Sequence, residues 1–353
     1  MRFALVLGLA ALSTVMAGCS RTPPDARQAP VVTATVETPP VASDGDAADD
    51  PAIWVSPRDP AQSLIVGTDK GRGLELYTLA GKRLQALKAG DMNNVDLRAG
   101  FAMNRGDIVL VAASDRTHQA LAFFRLDTQQ RRLQLINRIT VDFDEPYGLC
   151  MSRNAAGEFF VFMGDKNGHL DQWQLSAAGG KVQARHVRSL RFDSQTEGCT
   201  VDAASGTLYV GEEGKGIWRL SAAADADGSD RTLIDHTGTD GHLVADVEGV
   251  DLYRGADAGG YLVVSSQGDN RYTVYTRAVP NRYLGSFRIG DRRGGPDGVS
   301  DTDGLAVAAG LRTDAYPAGL LVVQDGHNTD PEATQDFKYV SWADVAAALK
   351  LSR

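Results

Sequence analysis

Four segments of this chain repeat one pattern at nearly constant spacing. A unit that recurs at this interval buries its apolar faces only by stacking on the next unit. The segments are EPYGLCMSRNAAGEFFVFMGDKNGHLDQWQL, TEGCTVDAASGTLYVGEEGKGIWRL, VEGVDLYRGADAGGYLVVSSQGDNRYTVYTR and TDGLAVAAGLRTDAYPAGLLVVQDGHN. Each reads as an acid or polar group, a glycine, a short apolar run, a turn, a second apolar run and a polar turn. The marker glycines are Gly148, Gly198, Gly249 and Gly304, spaced 50, 51 and 55 residues apart. Two earlier segments fit more loosely, with Val95 and Pro51 at the marker position. The short runs are rich in Val, Leu, Ile, Tyr and Phe and predict strands. Helical periodicity is confined to ADVAAALKL near the C-terminus. Short strands at this repeat length predict an all-β fold, a six-bladed β-propeller with four-stranded blades. The stretch VVTATVET (31–38) is strand-like and is expected to pair with the last blade and close the ring, leaving no open edge.

The first strand of a propeller blade lines the central channel, so the residues before it lie at one rim. In the six repeats these are Asp49 and Asp50; Asn93, Asn94 and Asp96; Glu145; Glu197; Asp246 and Glu248; Asp301 and Asp303. Acids recurring in register converge on one end of the channel. Two like charges about 4 Å apart repel by roughly 4 kcal/mol at an effective dielectric of about 20, so a cation is expected among them. Hard oxygen donors with few histidines select Ca²⁺ over zinc or copper. A second set follows each second strand and includes Lys70, Arg116, Lys166, Glu213, Gln267 and Asp325. An antiparallel second strand is expected to leave this turn at the opposite rim, and an intervening crossing to bring it to the acidic side. Periodicity leaves the two open.

The remaining features bound the function. With 36 Lys and Arg against 45 Asp and Glu, the net charge of -9 argues against nucleic acid as a partner. DADGSD (225–230) starts like an EF-hand loop, but Ser229 stands where the third ligand belongs and His236 where the closing Glu belongs. No HExxH, GxSxG or P-loop is present, and the six histidines do not cluster.

Residues 1–18 read as a signal peptide. A basic start is followed by an apolar run too short to span a bilayer comfortably, then Met16-Ala17-Gly18-Cys19. The ending resembles a bacterial lipobox, which implies lipidation at Cys19 and an exported protein anchored at the cell envelope. With Ser20 after the cysteine, the resemblance to sorted lipoproteins implies the outer membrane in a Gram-negative host; a periplasmic or secreted form is the alternative. Residues 19–38 are expected to be a flexible tether leading into the closing strand, and 39–353 the propeller. Cys150 and Cys199 are either a disulfide or two buried thiols.

The strings DAADDPAIWV, NNVDLR, EPYG, SQTEGC with LYVGEE, DVEGVDLY, GYLVVSSQGDNRY, SDTDG and QDGHN, in this order over about residues 40–345, resemble the β-propeller (alkaline) phytases. The resemblance implies a six-bladed propeller and a monomeric phosphoric monoester hydrolase of the 3-phytase type. Its substrate would be phytate, myo-inositol hexakisphosphate, taken as its calcium complex. It implies several Ca²⁺ ions around Asp49, Asp50, Asn93, Glu197, Glu213, Asp246, Glu248, Asp297 and Asp303. Substrate phosphate would be held by Lys70, Arg116, Tyr147 and Lys166, which puts the second-strand turns on the acidic rim. Lys70, Arg116 and Glu197 would be catalytic, the two cations stabilising phosphoryl charge and Glu197 positioning water or acting as general base. After Lys166 the family often carries further charge where this chain has Asn167-Gly168-His169-Leu170, which bears on the neighbouring phosphate. The readings set against this one are a propeller lactonase or esterase, and a calcium-stabilised surface propeller that binds a partner or glycan without catalysis.

Overall fold

In the computed structural model, residues 29–255 and 259–352 are described; the expected signal peptide and Cys19 lie outside them. Six small sheets form six blades around a channel. The innermost strands are Ala48–Trp54, Met92–Met103, Pro146–Arg153, Thr196–Asp202, Val247–Arg254 and Leu305–Ala308, in blades 1 to 6. The burial pattern follows position within the blade. Thr196–Asp202 is buried throughout, enclosed by its neighbours on both faces. Lys181–Arg191, the outermost strand of blade 3, alternates between buried and exposed.

The core is divided into six apolar layers, one between each pair of adjacent blades. Ala52, Leu64 and Val66 of blade 1 meet Val95, Val111 and Phe124 of blade 2. Between blades 6 and 1, Ile65 and Tyr77 meet Val322, Phe337 and Tyr339. The marker glycines explain how the inner strands approach so closely. A Cβ on Gly148 would lie 2.1 Å from the Glu197 carbonyl oxygen, and one on Gly198 2.1 Å from that of Glu248. On Gly249 a Cβ would lie 2.8 Å from the Asp303 carbonyl oxygen, and on Gly304 2.6 Å from Asp50 Cα. Each glycine of blades 3 to 6 therefore admits the backbone of the next blade around the ring.

Chain ends seal the structure. Val36–Glu37 pairs antiparallel with Asp336–Ser341 and supplies the outermost strand of blade 6. The expected closure is met by this half of the 31–38 segment. The other half, Val31–Thr33, adds a fifth, parallel strand to blade 5. The helix Trp342–Ala348 occupies the C-terminal periodic segment, with Trp342 stacked on Tyr253 at 4.4 Å between ring centroids. Cys150 and Cys199 form a disulfide between the inner strands of blades 3 and 4, Cα–Cα 5.6 Å.

The second strand of each blade pairs antiparallel with the first, Ala48 facing Asp69 and Met92 facing Asp115. The expectation that this pairing sends the following turn to the opposite rim is corrected here. The first strand leaves the acidic rim and an antiparallel partner returns to it, so Lys70, Arg116 and Lys166 emerge beside the acids without any crossing.

Candidate active site

A repeated irregularity turns the acids into the channel mouth. In blades 1 to 5 the inner strand slips register against its neighbour, between Ala48 and Pro51, Met92 and Val95, Pro146 and Leu149, Thr196 and Cys199, and Val247 and Val250. Such bulges re-aim side chains, and these fall on the residue before the marker. Side chains from the second strands satisfy freed backbone groups. Asp50 N–H donates to Thr68 Oγ1 at 2.9 Å, Asn94 N–H to Ser114 Oγ at 2.9 Å and Asp303 N–H to Gln324 Oε1 at 2.8 Å.

The residues so placed are Asp50, Asn94, Tyr147, Glu197 and Glu248 in blades 1 to 5, and Asp303 precedes the marker of blade 6 without a bulge. The turns beside them present Lys70, Arg116, Lys166, Glu213, Gln267 and Gly326. The mouth is thus electrically split. Blades 1 to 3 supply cations from their turns, and blades 4 to 6 and blade 1 supply the clustered carboxylates, while Glu145 of blade 3 is taken up by Arg116 and Lys166. At the acid side, Glu197, Glu213 and Glu248 each offer an oxygen within 4.8 Å of the others. Asn93 Nδ2 donates to Glu197 Oε1 at 2.9 Å. At the junction of the halves, Lys70 Nζ lies 2.7 Å from Asp46, 2.9 Å from Asp49 and 3.4 Å from Asp303.

These carboxylates are buried and underpaired. Burial, and then the charges of Glu197 and Asp246, raise Glu213 to about 8. Burial raises Asp303 to about 7 even though Lys70 opposes the shift. Asp49, Asp50 and Glu248 are pushed well above the usual carboxylate range, burial first and neighbouring acids with it. Burial works against the charge of Lys70, and Asp49, Asp303, Glu197 and Asp46 more than offset it, holding the ammonium protonated. Asp49 Oδ1, Asn93 Oδ1, Glu213 Oε1 and Glu248 Oε2 are buried without a hydrogen-bond partner. Oxygen donors in this state fit a hard divalent cation, which would accept the lone pairs that no protein donor engages.

Above the cluster opens a cleft of ≈ 1170 Å³ whose lining includes Lys70, Tyr147, Glu213, Asp246, Glu248 and Asp303. Arg116 and Lys166 converge on Glu145 Oε1 at 3.1 and 2.9 Å, and Lys166 Nζ lies 5.0 Å from the Tyr147 ring centroid. They stand beside the cleft-lining Tyr147 rather than in the lining itself. Burial, with Glu197, Glu248 and Glu213 facing it, keeps the Tyr147 hydroxyl protonated as a donor.

Asp297 is placed elsewhere. It bonds Lys338 Nζ at 2.5 Å and Thr329 Oγ1 at 2.8 Å in a second buried cluster with Asp325, Asp336 and Glu37. Asp325 Oδ2, Asp336 Oδ1 and Asn328 Oδ1 there are also buried without hydrogen-bond partners. Eight of the nine expected metal ligands gather at the channel mouth, and Asp297 lies in the connection between blades 5 and 6, against Lys338 of the last blade. Gln195, which donates to Glu213, was not singled out from the sequence; nor was the pairing of Gln267 Nε2 with Asp303 Oδ1. Gln267 occupies the register position of Lys70, which is the signal that locates it.

The sequence profile of the family described as Phytase matches residues 3–352. The 3-phytase of Bacillus subtilis (strain 168) is 39% identical over 328 residues, covering 90% of this chain and 85% of that one. Among solved structures, a protein from Lactobacillus plantarum aligns with TM-score 0.49 at 11% identity, over 85% of this chain and 90% of that one. BBS1N in its complex with ARL6DN aligns with TM-score 0.46 at 10% identity, over 80% and 76%. The profile match over nearly the whole length, with a relative this similar across most of both chains, establishes that the chain belongs to the phytase family.

Proposed function

We propose that this protein removes phosphate from phytate, using calcium ions held by the carboxylates of the channel mouth. The observation that carries the reading is the split rim. Unpaired buried oxygens of Asp49, Asn93, Glu213 and Glu248, on blades 1, 2, 4 and 5, call for a cation, and Lys70, Arg116, Lys166 and Tyr147 on blades 1 to 3 offer donors to a phosphate bridging the halves. Asp49, Asp50, Asn93, Glu197, Glu213, Asp246, Glu248 and Asp303 would hold the ions, and Asp297 with Asp325 and Asn328 a separate structural one. When bound, calcium supplies charge neutralisation and a more acidic water.

The chain's own groups carry the rest. Lys70, permanently protonated, places positive charge where phosphoryl charge develops. Arg116 and Lys166, fixed by Glu145, and the Tyr147 hydroxyl orient the phosphate for in-line attack. Glu197, held by Asn93, lies among the other carboxylates where it positions the attacking water and accepts its proton. Phosphomonoester hydrolysis is among the slowest uncatalysed reactions, so this electrostatic arrangement is the main contribution required.

Phosphate release from phytate by the purified domain, with added Ca²⁺ and with a chelator, tests the reading beside a simple aryl phosphate. Calcium-dependent release, weak on the aryl ester, is the expected result. No release, with calcium still raising the melting temperature, would make the acidic ring structural. Export with a lipid anchor at Cys19 belongs to the same proposal, and its export half is supported by the Cys150–Cys199 disulfide, a bond of oxidising compartments. Metabolic labelling with a radioactive fatty acid, lost in Cys19→Ala, checks it.

A further inference from the structure

The N-terminal strand joins the propeller at the outer edge of blade 5. There the Pro30 carbonyl accepts Arg288 N–H at 3.0 Å, and Val31–Thr33 runs parallel to Tyr283–Gly290, the fourth strand of that blade. Val247 at the mouth faces Ser266, and Ser266 faces Arg271, so the third strand leaves the mouth and the fourth returns toward it. Val31–Thr33 shares that direction, and its beginning lies on the side away from the mouth. Residues 20–28 separate Ala29 from Cys19, a length that spans at most about 35 Å. Blade 2 stands across the ring, three blades away, so an anchor at Cys19 holds blade 5 nearest to the membrane.

The same edge carries exposed apolar side chains. Val31, Val279 and Leu284, all on it, are three of the five exposed large apolar residues among the described ones, and Val279 is 61% exposed. Val279 stands with the exposed Ala278 and Pro280 in the turn between the third and fourth strands of blade 5, at the rim opposite the mouth. The other two lie apart from this edge. Leu135 is in the outermost strand of blade 2, and Val244 is in the loop that leads into the inner strand of blade 5 at the mouth. One exposed Leu or Val needs no explanation, but a set along one blade marks a contact surface.

Cations accompany these side chains. Arg282 is exposed between Val279 and Leu284 in the chain. The C-terminal end packs against the same blade: Tyr261 Oη donates to the Ser352 carbonyl at 2.8 Å, and a Cβ on Gly285 would lie 3.0 Å from Leu349 Cδ2. Lys350, between those two contacts in the chain, is exposed. Apolar side chains beside cations are the combination that holds a protein at an anionic lipid interface. The mouth has the opposite character, because its clustered carboxylates are repelled by the negative potential of such a surface.

We propose that the outer edge of blade 5, with Val279, Leu284, Arg282 and Lys350, is the face by which this protein rests on an anionic phospholipid membrane. The inference rests on the lipid-anchor reading above. The anchor supplies proximity, which makes even a small patch effective, and the patch supplies orientation. The channel mouth is then held clear of the lipid phosphates and stays open to a polyanionic substrate arriving from solution.

With Cys150 and Cys199 joined, Cys19 is the one free thiol of the chain. Coupling it to a maleimide lipid in vesicles of phosphatidylethanolamine and phosphatidylglycerol fixes the anchor whether or not cells lipidate it. Hydroxyl-radical footprinting, read by mass spectrometry, then compares side-chain oxidation on the vesicles and in solution. The rates at Val279 and Leu284 are expected to fall severalfold on the vesicles, and those at Leu135 and Val244 to stay unchanged. Arg282→Glu should return the rates at Val279 and Leu284 toward their solution values and leave phosphate release unchanged. Protection of Val244 instead, of all four residues equally, or of none would overturn the proposal. So would equally slow oxidation of Val279 and Leu284 in solution, which would assign this edge to residues 20–28 or to a second copy of the chain. If fatty-acid labelling finds Cys19 unmodified in cells while the coupled protein gives the expected pattern, the anchor reading falls and the lipid-facing surface stands.

Discussion

Glu213 and Asp303 hold protons that carboxylates in water would have lost, and this gives the site a measurable signature at the scale of single residues. Their values, about 8 and about 7 in the fold, lie above the roughly 4 of an unfolded chain. A group with a raised folded value contributes stability that is complete below its unfolded pKa and is lost as pH rises through the folded one. Chelated protein is therefore expected to lose melting temperature progressively between about pH 4 and pH 8. Added calcium should flatten the decline, because a bound cation replaces the protons. A chelated protein whose melting temperature is flat over that window would contradict this account of the cluster. Lys70 answers a different question. It touches Asp46, Asp49 and Asp303, so it is both a countercharge and the nearest cation to the metal ligands. Lys70→Met is expected to lower kcat by roughly 10²- to 10³-fold, as for removal of one preorganised electrostatic donor. Steady-state kinetics at saturating calcium checks it.

At the scale of the element, the marker glycine and the bulge beside it do one job between them. The glycine lets the neighbouring blade's backbone come close, and the bulge turns the preceding acid into the space so formed. Gly198→Ala would place a Cβ 2.1 Å from the Glu248 carbonyl oxygen, where no flexible side chain can give way. A loss of about 1–3 kcal/mol is expected, read as a lower urea midpoint. Gly214→Ala is the control, because its Cβ would meet only Ser194 Oγ at 3.6 Å and should leave the midpoint unchanged. The same logic explains what was legible in the sequence. Gly148, Gly198, Gly249 and Gly304 are visible because one packing requirement recurs at each blade, and Glu197, Glu248 and Asp303 are visible because they precede it. The location of Asp297 was not legible. Its cluster joins Glu37, Asp325, Asp336 and Lys338 from separate segments, and no periodic position marks it. His327 introduces an insertion into blade 6, outside the repeat, so its pairing with Asp301 has no counterpart from which to be inferred.

The whole molecule depends on closing a ring, and the site straddles the place where it is closed. Asp49 and Lys70 come from blade 1 and Asp303 from blade 6; those blades are joined by the N-terminal segment rather than by chain continuity from blade 6 onward. Thr35 N–H donates to the Tyr339 carbonyl at 2.8 Å and Thr38 N–H to that of Phe337 at 3.0 Å, while Glu37 reaches Lys338 at 2.9 Å. The disulfide is a staple of another kind. It joins blades 3 and 4, away from that seam, and its loss is expected to cost about 2–4 kcal/mol through the freedom regained by the unfolded chain. The two fasteners should therefore fail differently. Replacing both Cys150 and Cys199 by serine should lower the melting temperature but leave the calcium-induced rise intact, since every mouth carboxylate stays in place. Removing residues 29–38 leaves Asp336–Ser341 as an open edge and Lys338 without Glu37. The apolar layer between blades 6 and 1 is then free to part, and Lys70 and Asp49 separate from Asp303. That variant should lose the calcium-induced rise along with its phosphate release. Thermal melts of both variants, with calcium and with chelator, decide the matter. An intact calcium response after removal of the strand would show that the carboxylate cluster, and not the N-terminal strand, is what holds blade 6 to blade 1.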